Sequence, residues 1–237
     1  METTRLLDLP LLSLDTETTG IGPRSDRIVS IGAVRLQGDS ILRSTAFETL
    51  VRSGRLIPPA ASAEHHISEA AVQDSPLLPD IWPQLQARMA RAVVLGHHIA
   101  FDMTMLEAAR NRHGLSWTPL PSLDTARRAA ALDPSERSTA LEDVAQRHGV
   151  ESVGRHTALG DSLIVAELYL KMLPRLFRRG VATLGDATRF AASATRIVTG
   201  EREAGWRFPA TLGVWSFNRL SSERPRRLTV VLALKLP

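Results

Sequence analysis

The chain has 237 residues, 43% of them apolar, a formal net charge of +4 and no cysteine. That length suits one α/β domain plus an extension, and the apolar share excludes the disordered class. The lack of cysteine excludes disulfides, thiolate metal ligands and cysteine nucleophiles, and it fits a reducing compartment.

The charge is divided unevenly. Residues 1–173 carry 17 Lys and Arg against 21 Asp and Glu, whereas residues 174–237 carry 12 against 4. A negative body suits a site that gathers divalent cations, and a basic tail suits a polyanionic partner. Near the start of the chain, Asp8, Pro10 and Asp15 confine a short apolar run, which does not read as a signal peptide. No stretch approaches the roughly 18 apolar residues of a membrane span, so the expectation is a cytoplasmic protein that makes no membrane contact.

Leu11-Leu12-Ser13-Leu14-Asp15 reads as a buried strand that ends in the polar turn Thr16 to Gly20. Ile28 to Leu36 is a second strand, rich in β-branched residues. After the turn Gln37 to Ser40, Ile41 to Val51 is a third, and the short connections predict an antiparallel meander. Pro58-Pro59 breaks the pattern. Ser68 to Val72 predicts one helical turn, Leu78 to Arg91 a longer helix, Ala92 to Gly96 a buried strand and Asp102 to His113 another helix. Ser138 is the expected cap of a helix reaching about His148, where Gly149 stops it. Thr157 to Met172 has the clearest helical spacing, with Pro174 as its expected end. Strands first, then helices alternating with a strand, make a mixed-sheet α/β domain.

Several polar residues sit where such a domain exposes chemistry. Asp15 and Glu17 are two apart at a strand end and project to the same side. Hard oxygen ligands of this kind suit Mg²⁺ or Mn²⁺, although an isolated Asp-x-Glu reads more simply as a solvated turn. Asp102, just past a buried strand, reads alone as a helix N-cap. Asp161 falls on the inward face of an apolar helix and must be exposed, paired or metal-bound. His156 precedes that helix and reads alone as a capping residue.

Taken in order, the three motifs Leu14-Asp15-Thr16-Glu17-Thr18-Thr19-Gly20, Gly96-His97-His98-Ile99-Ala100-Phe101-Asp102 and His156-Thr157-Ala158-Leu159-Gly160-Asp161 resemble the DEDDh exonucleases. Similar accessory segments are Ile28 to Val34, Glu64 to Ser68 and Leu123 to Arg127, and the likeness covers about residues 9–173. The resemblance implies a ribonuclease H-like fold, with a five-stranded mixed sheet flanked by helices. It further implies that Asp15, Glu17, Asp102 and Asp161 hold two divalent cations, Mg²⁺ or Mn²⁺, and that His156 is the general base. Phosphodiester hydrolysis needs an activated water and stabilised charge on the transferring phosphoryl group, which a two-metal site supplies. An imidazole, titrating ordinarily near about pH 6.5, can accept the water's proton.

By the same resemblance Thr18 touches the terminal nucleotide and His65 lines its pocket, while a loop role for His65 stays open. Phe101 has two readings, a base-stacking surface or core packing. Asp124 either supports the site or caps a turn, and Gly20 serves the turn backbone. The chain departs from the family at His98, where Asn is usual, and at His66 and Thr157, where Gly is common. These departures bear on the nucleotide pocket.

The expected activity is 3′→5′ hydrolysis of single-stranded or frayed DNA ends, of proofreading or repair type. The alternatives are an RNA-trimming or oligonucleotide-degrading enzyme and a non-catalytic nucleic-acid-binding polymerase subunit. The domain is expected to span residues 1–174. For the basic extension, residues 175–237, the readings are phosphate contact through Arg178-Arg179 and Arg224 to Arg227, a polymerase-binding tail, or a loosely packed solvated segment. Leu228 to Leu236 alternates weakly, as an edge strand would.

Overall fold

In a computed structural model, which describes residues 1–206, the chain folds around one five-stranded sheet. The strands are β1 (Leu11–Thr18), β2 (Ile28–Gln37), β3 (Ser40–Leu50), β4 (Val93–Gly96) and β5 (Ser122–Asp124), in the order β3-β2-β1-β4-β5. The meander β1-β2-β3 is antiparallel, while β4 pairs parallel with both β1 and β5. This is the mixed sheet of the ribonuclease H-like class.

Alternation along β1 divides the interior into two layers. Leu11 joins Val34, Val93, Leu95 and Leu123 beneath α5 (Thr125–Leu132), α6 (Leu141–Arg147), α7 (Ala158–Arg178) and α8 (Leu184–Ala192). Leu12 and Leu14 join Ile31, Ala33 and Val94 on the opposite face, beneath α3 (Leu78–Met89) and α4 (Ala100–His113). Two short helices, α1 (Pro59–His65) and α2 (Glu69–Val72), bridge β3 to α3, and α9 (Thr195–Glu203) follows α8.

Three helix boundaries differ from expectation. Helix α4 begins at Ala100, so Asp102 lies inside its first turn and the capping position belongs to Ile99. Helix α6 begins at Leu141 with Ala140 at its cap. The Ser138 side chain instead bonds to Asp143 and to the Ala140 amide. Most consequential, α7 does not stop at Pro174 but runs to Arg178 with the proline inside it. Pro174 lies on the exposed face, while buried Met172, Leu173 and Leu176 hold the helix on the core.

The chain continues to pack beyond that point. Arg5 bridges to Thr183, and Leu184 and Ala187 of α8 are buried. The guanidinium of buried Arg128 donates to the carbonyls of Asp124 and Ala187, tying α5 to α8. Residues 175–206 are thus not loosely packed. The segments around Arg224 to Arg227 and Leu228 to Leu236 lie outside the described residues.

Candidate active site

Past Ser13, β1 has no partner on its β4 side, and a cleft of about 630 Å³ opens there. Crevices at the carboxyl ends of parallel strands are where α/β sheets place ligands. The alternation that sorted the leucines also sorts the polar residues. Ser13, Asp15 and Glu17 follow Leu11 onto the α7 face, where the Ser13 hydroxyl donates to the Ser162 carbonyl at 2.7 Å. Thr16 projects the other way, toward α4.

Helix α7 completes the cluster because β2 lets it approach. Gly32 pairs directly with Asp15, and a Cβ there would lie 2.1 Å from the backbone of Ala158 and Leu159. The first turn of α7 rests on that bare backbone, with the Ser162 hydroxyl donating to the Gly32 carbonyl at 2.9 Å. Thr157 accepts from the Gly160 amide and caps the helix, a role that a glycine at this position lacks. Asp161 is thereby carried over β1, and oxygens of Asp15, Glu17 and Asp161 lie within 4.8 Å of one another.

The fourth acid stands apart from that trio. Asp102 lines the cleft, but its Oδ1 accepts from the Thr16 amide at 2.9 Å and the Thr16 hydroxyl at 2.7 Å. It acts on the trio through its charge. Burial, then repulsion from Asp102, Asp161 and Glu17, pushes the Asp15 carboxyl far above its ordinary range. Burial and the charge of Asp161 raise Glu17 to about 7, and burial raises Asp102 to about 7 against the opposing Thr16 bonds. Asp161 is raised by burial too, with Arg155 opposing.

A cluster of this kind calls for positive charge. The guanidinium of Arg155 supplies part of it, pairing with Asp161 and donating to Glu142 at 2.6 Å. Asp161 Oδ1 is nevertheless buried and unpartnered among the described residues. Three converging hard oxygen donors and one orphaned carboxylate oxygen fit a divalent cation. Asp15, Glu17 and Asp161 could hold it, with Asp102 adjacent.

His156 stands at the rim of the cleft with a left-handed backbone, φ 65°. Its Nδ1 lies 3.2 Å from Glu64 and its Nε2 3.8 Å from Glu142. Two of the three family departures share this geometry, since His66 (φ 59°) and His98 (φ 54°) are also left-handed, whereas Thr157 is extended. Glycine and asparagine adopt that conformation most easily, which explains their usual presence at those two positions.

Thr18 and His65 do not line the cleft. The Thr18 hydroxyl donates to the Gly20 carbonyl at 2.8 Å, bracing the turn. The Ile67 amide donates to buried His65 at Nδ1, so Nε2 carries the proton and faces the Thr18 carbonyl at 3.3 Å. Both residues fix the loop after β1. Phe101 does line the cleft, and its ring meets Trp206 with centroids 5.1 Å apart. Asp124 receives the His98 and Ile99 amides and caps α5, so it orients the turn that starts α4.

Sequence reasoning missed Arg155, Glu64 and Glu142, and it missed the wall supplied by α9. Glu64 falls in a family-like accessory segment without being singled out there, and nothing in the local pattern marks the others.

The chain belongs to the RNase_T exonuclease family, whose model matches residues 12–169. Nucleases of this family depend on divalent metal ions, in keeping with the acidic cluster. Among similar proteins, the DNA polymerase III subunit epsilon-like protein of Rhodobacter capsulatus is 35% identical over 77% of this chain. This chain spans only 26% of that relative's length. The DNA polymerase III subunit epsilon of Aquifex aeolicus is 28% identical over 74% of this chain and 87% of its own length. Among solved structures, Exonuclease X in complex with 5′ overhanging duplex DNA aligns with a TM-score of 0.61 at 25% identity, covering 76% of this chain and 99% of that one. Exonuclease I of E. coli, solved with a dT13 oligonucleotide, shares the fold with a TM-score of 0.63 at 20% identity, over 73% of this chain and 43% of its own.

Proposed function

We propose that this chain is a divalent-metal-dependent 3′→5′ exonuclease that releases nucleoside 5′-monophosphates from single-stranded or frayed DNA ends, in proofreading or repair. The observation that carries the reading is the convergence of Asp15, Glu17 and Asp161 around an unpartnered buried oxygen, with His156 on the rim. DNA as substrate is supported by the likeness to the polymerase III relatives and to Exonuclease X, solved with 5′ overhanging duplex DNA. The name of the Aquifex aeolicus relative, a DNA polymerase III subunit, supports a polymerase partner.

Asp15, Glu17, Asp102 and Asp161 would hold two ions, Mg²⁺ or Mn²⁺, which supply Lewis-acid activation of water and offset charge on the phosphate. Glu64, whose Oε1 lies 3.2 Å from His156 Nδ1, favours the tautomer protonated there, which leaves the Nε2 lone pair to take a proton from the attacking water. The water oxygen bonds to phosphorus as the bond to the 3′-oxygen breaks, and that oxygen is protonated from solvent. Asp102 keeps the β1 backbone in place through Thr16, so Asp15 and Glu17 stay aimed at the cleft.

Labelled DNA and RNA oligonucleotides, single- and double-stranded, test this with Mg²⁺, Mn²⁺ and EDTA. Mononucleotide release from DNA 3′ ends, stopped by EDTA, is the expected result, and circular single-stranded DNA should resist. Turnover in EDTA, or cutting of the circle, overturns the reading, and preference for RNA overturns its choice of substrate.

A further inference from the structure

Helix α9 and Trp206 lie beyond the family-matched span of residues 12–169, yet they form one wall of the cleft. Their position is built rather than incidental. Ile197 is buried against Ala126 and Ala194. Glu201, 3% exposed, accepts from Arg127 Nε at 3.0 Å and lies 3.5 Å from His98 Nδ1. Arg196 donates to the Arg137 carbonyl at 2.6 Å, which ties the helix to the loop before α6. Finally the Trp206 amide donates to the Glu201 carbonyl at 2.8 Å, setting the indole beside Phe101.

Trp206 also sits at a junction. It lines the carboxylate cleft and a second cavity of about 680 Å³, whose lining includes Arg24, Asn111 and Arg202. Both aromatic rings are only partly buried, and the indole Nε1 has no partner among the described residues. A tryptophan N–H removed from water usually meets an acceptor, and a nucleic-acid strand is dense in them. Partly open aromatic faces between the carboxylate cleft and a cavity lined by Arg24 and Arg202 together with Glu107 suit a strand whose bases stack in passing.

We propose that Trp206, held by the α9 anchor Glu201 and paired with Phe101, is a base-stacking platform that selects an unpaired DNA strand as it enters the cleft. This rests on the exonuclease reading above and gives its substrate selection to a pair of which one member, Trp206, lies outside the family-matched span. A base must be unstacked from its helix to lie on the ring, so the platform favours single-stranded over duplex ends.

The test compares full-length wild type with Trp206→Ala, Trp206→Leu, Trp206→Phe and Glu201→Gln. Single-stranded oligonucleotide affinity is measured by fluorescence anisotropy in EDTA, and KM and kcat are measured with Mn²⁺. Loss of one stack should raise Kd and KM roughly 5- to 150-fold, while kcat changes less than about threefold. Phenylalanine should restore most of the loss and leucine little, which a purely structural role would not produce because leucine also fills the space. Glu201→Gln, which acts only by positioning the wall, should raise KM in the same direction by a smaller factor. Wild-type Kd and KM in the leucine variant overturn the platform, as does a fall in kcat with KM unchanged. If wild type binds strands through Trp206 but hydrolyses none with metal, the platform stands and the exonuclease reading falls. Hydrolysis that is indifferent to Trp206 has the opposite meaning.

Discussion

Gly32 stands directly across the β1–β2 ladder from Asp15, and the backbone of α7 occupies the space its side chain would need. The bare position sets the depth at which Asp161 arrives over β1. Gly32→Ala should therefore force α7 outward. Overpacking commonly costs about 1–3 kcal/mol, and a collision with backbone belongs at or above the top of that range. The expected result is a lower denaturation midpoint together with a disproportionate loss of kcat/KM in the fraction that folds. An alanine variant with wild-type midpoint and rate would show that α7 does not depend on this contact.

The four carboxylates should separate by stability even though all should silence cleavage. Asp15 is repelled by three neighbouring acids, so Asp15→Asn should stabilise the metal-free protein while abolishing turnover. Asp102→Ala should instead destabilise it, because the buried Thr16 amide and hydroxyl lose their acceptor, at about 1–3 kcal/mol for a buried group left unsatisfied. Thermal melts in EDTA at neutral to alkaline pH distinguish the two, and equal shifts of the same sign would refute the division of roles.

The same cluster makes stability depend on pH. Glu17 and Asp102 are raised from 4.5 and 3.8 to about 7, so the folded state holds their protons more tightly than the unfolded chain does. Their contribution is complete below the unfolded values and is lost as pH rises through about 7. Metal-free protein should consequently melt lower at pH 8 than at pH 5.5 (values chosen about a unit or more either side of that midpoint). Mn²⁺ should restore more at the higher pH, because it favours the ionised carboxylates. A metal-free melting temperature that climbs across this window, with no larger Mn²⁺ effect at its top, would contradict the electrostatic picture.

His156→Ala should lower kcat by roughly 10²- to 10⁴-fold, the usual worth of a general base, without moving the Mn²⁺ concentration for half-maximal activity. Glu64→Gln should have a smaller effect in the same direction, because it only orients the ring. Loss of metal affinity in the histidine variant would make His156 a ligand instead.

Truncation tests the last turn of α7 and the helices after it. Stopping at residue 173 removes buried Leu176, Val181 and Leu184, each worth about 1.5–3 kcal/mol when fully buried. Their sum approaches the roughly 5–15 kcal/mol that holds a typical domain together. That shortened chain should be unfolded or molten by circular dichroism. A chain stopping at residue 206 should fold and hydrolyse a short oligonucleotide, and a cooperative melt from the shorter one would disprove the dependence.

The sequence by itself determined the chemistry and most of the scaffold. The period of two along Leu11 to Glu17 is enough to put Asp15 and Glu17 on one face, and the apolar period of α7 is enough to turn Asp161 inward. Both are local properties, readable from neighbouring residues, as were the first four strands; the three-residue β5 (Ser122–Asp124) is too short to show a period of its own. What only the tertiary structure decided lies between residues far apart in the chain. Arg155 balances Asp161, Glu64 reaches His156 and Trp206 meets Phe101, yet no periodicity links position 101 to position 206. The same holds for Asp102, which looks like a helix cap from its neighbours alone but turns to Thr16, because β1 leaves an amide and a hydroxyl there to satisfy. Pro174 is the plainest case of a local rule overruled. Its ring forbids one backbone hydrogen bond, but burial of Leu173 and Leu176 on either side outweighs that loss and keeps α7 intact to Arg178.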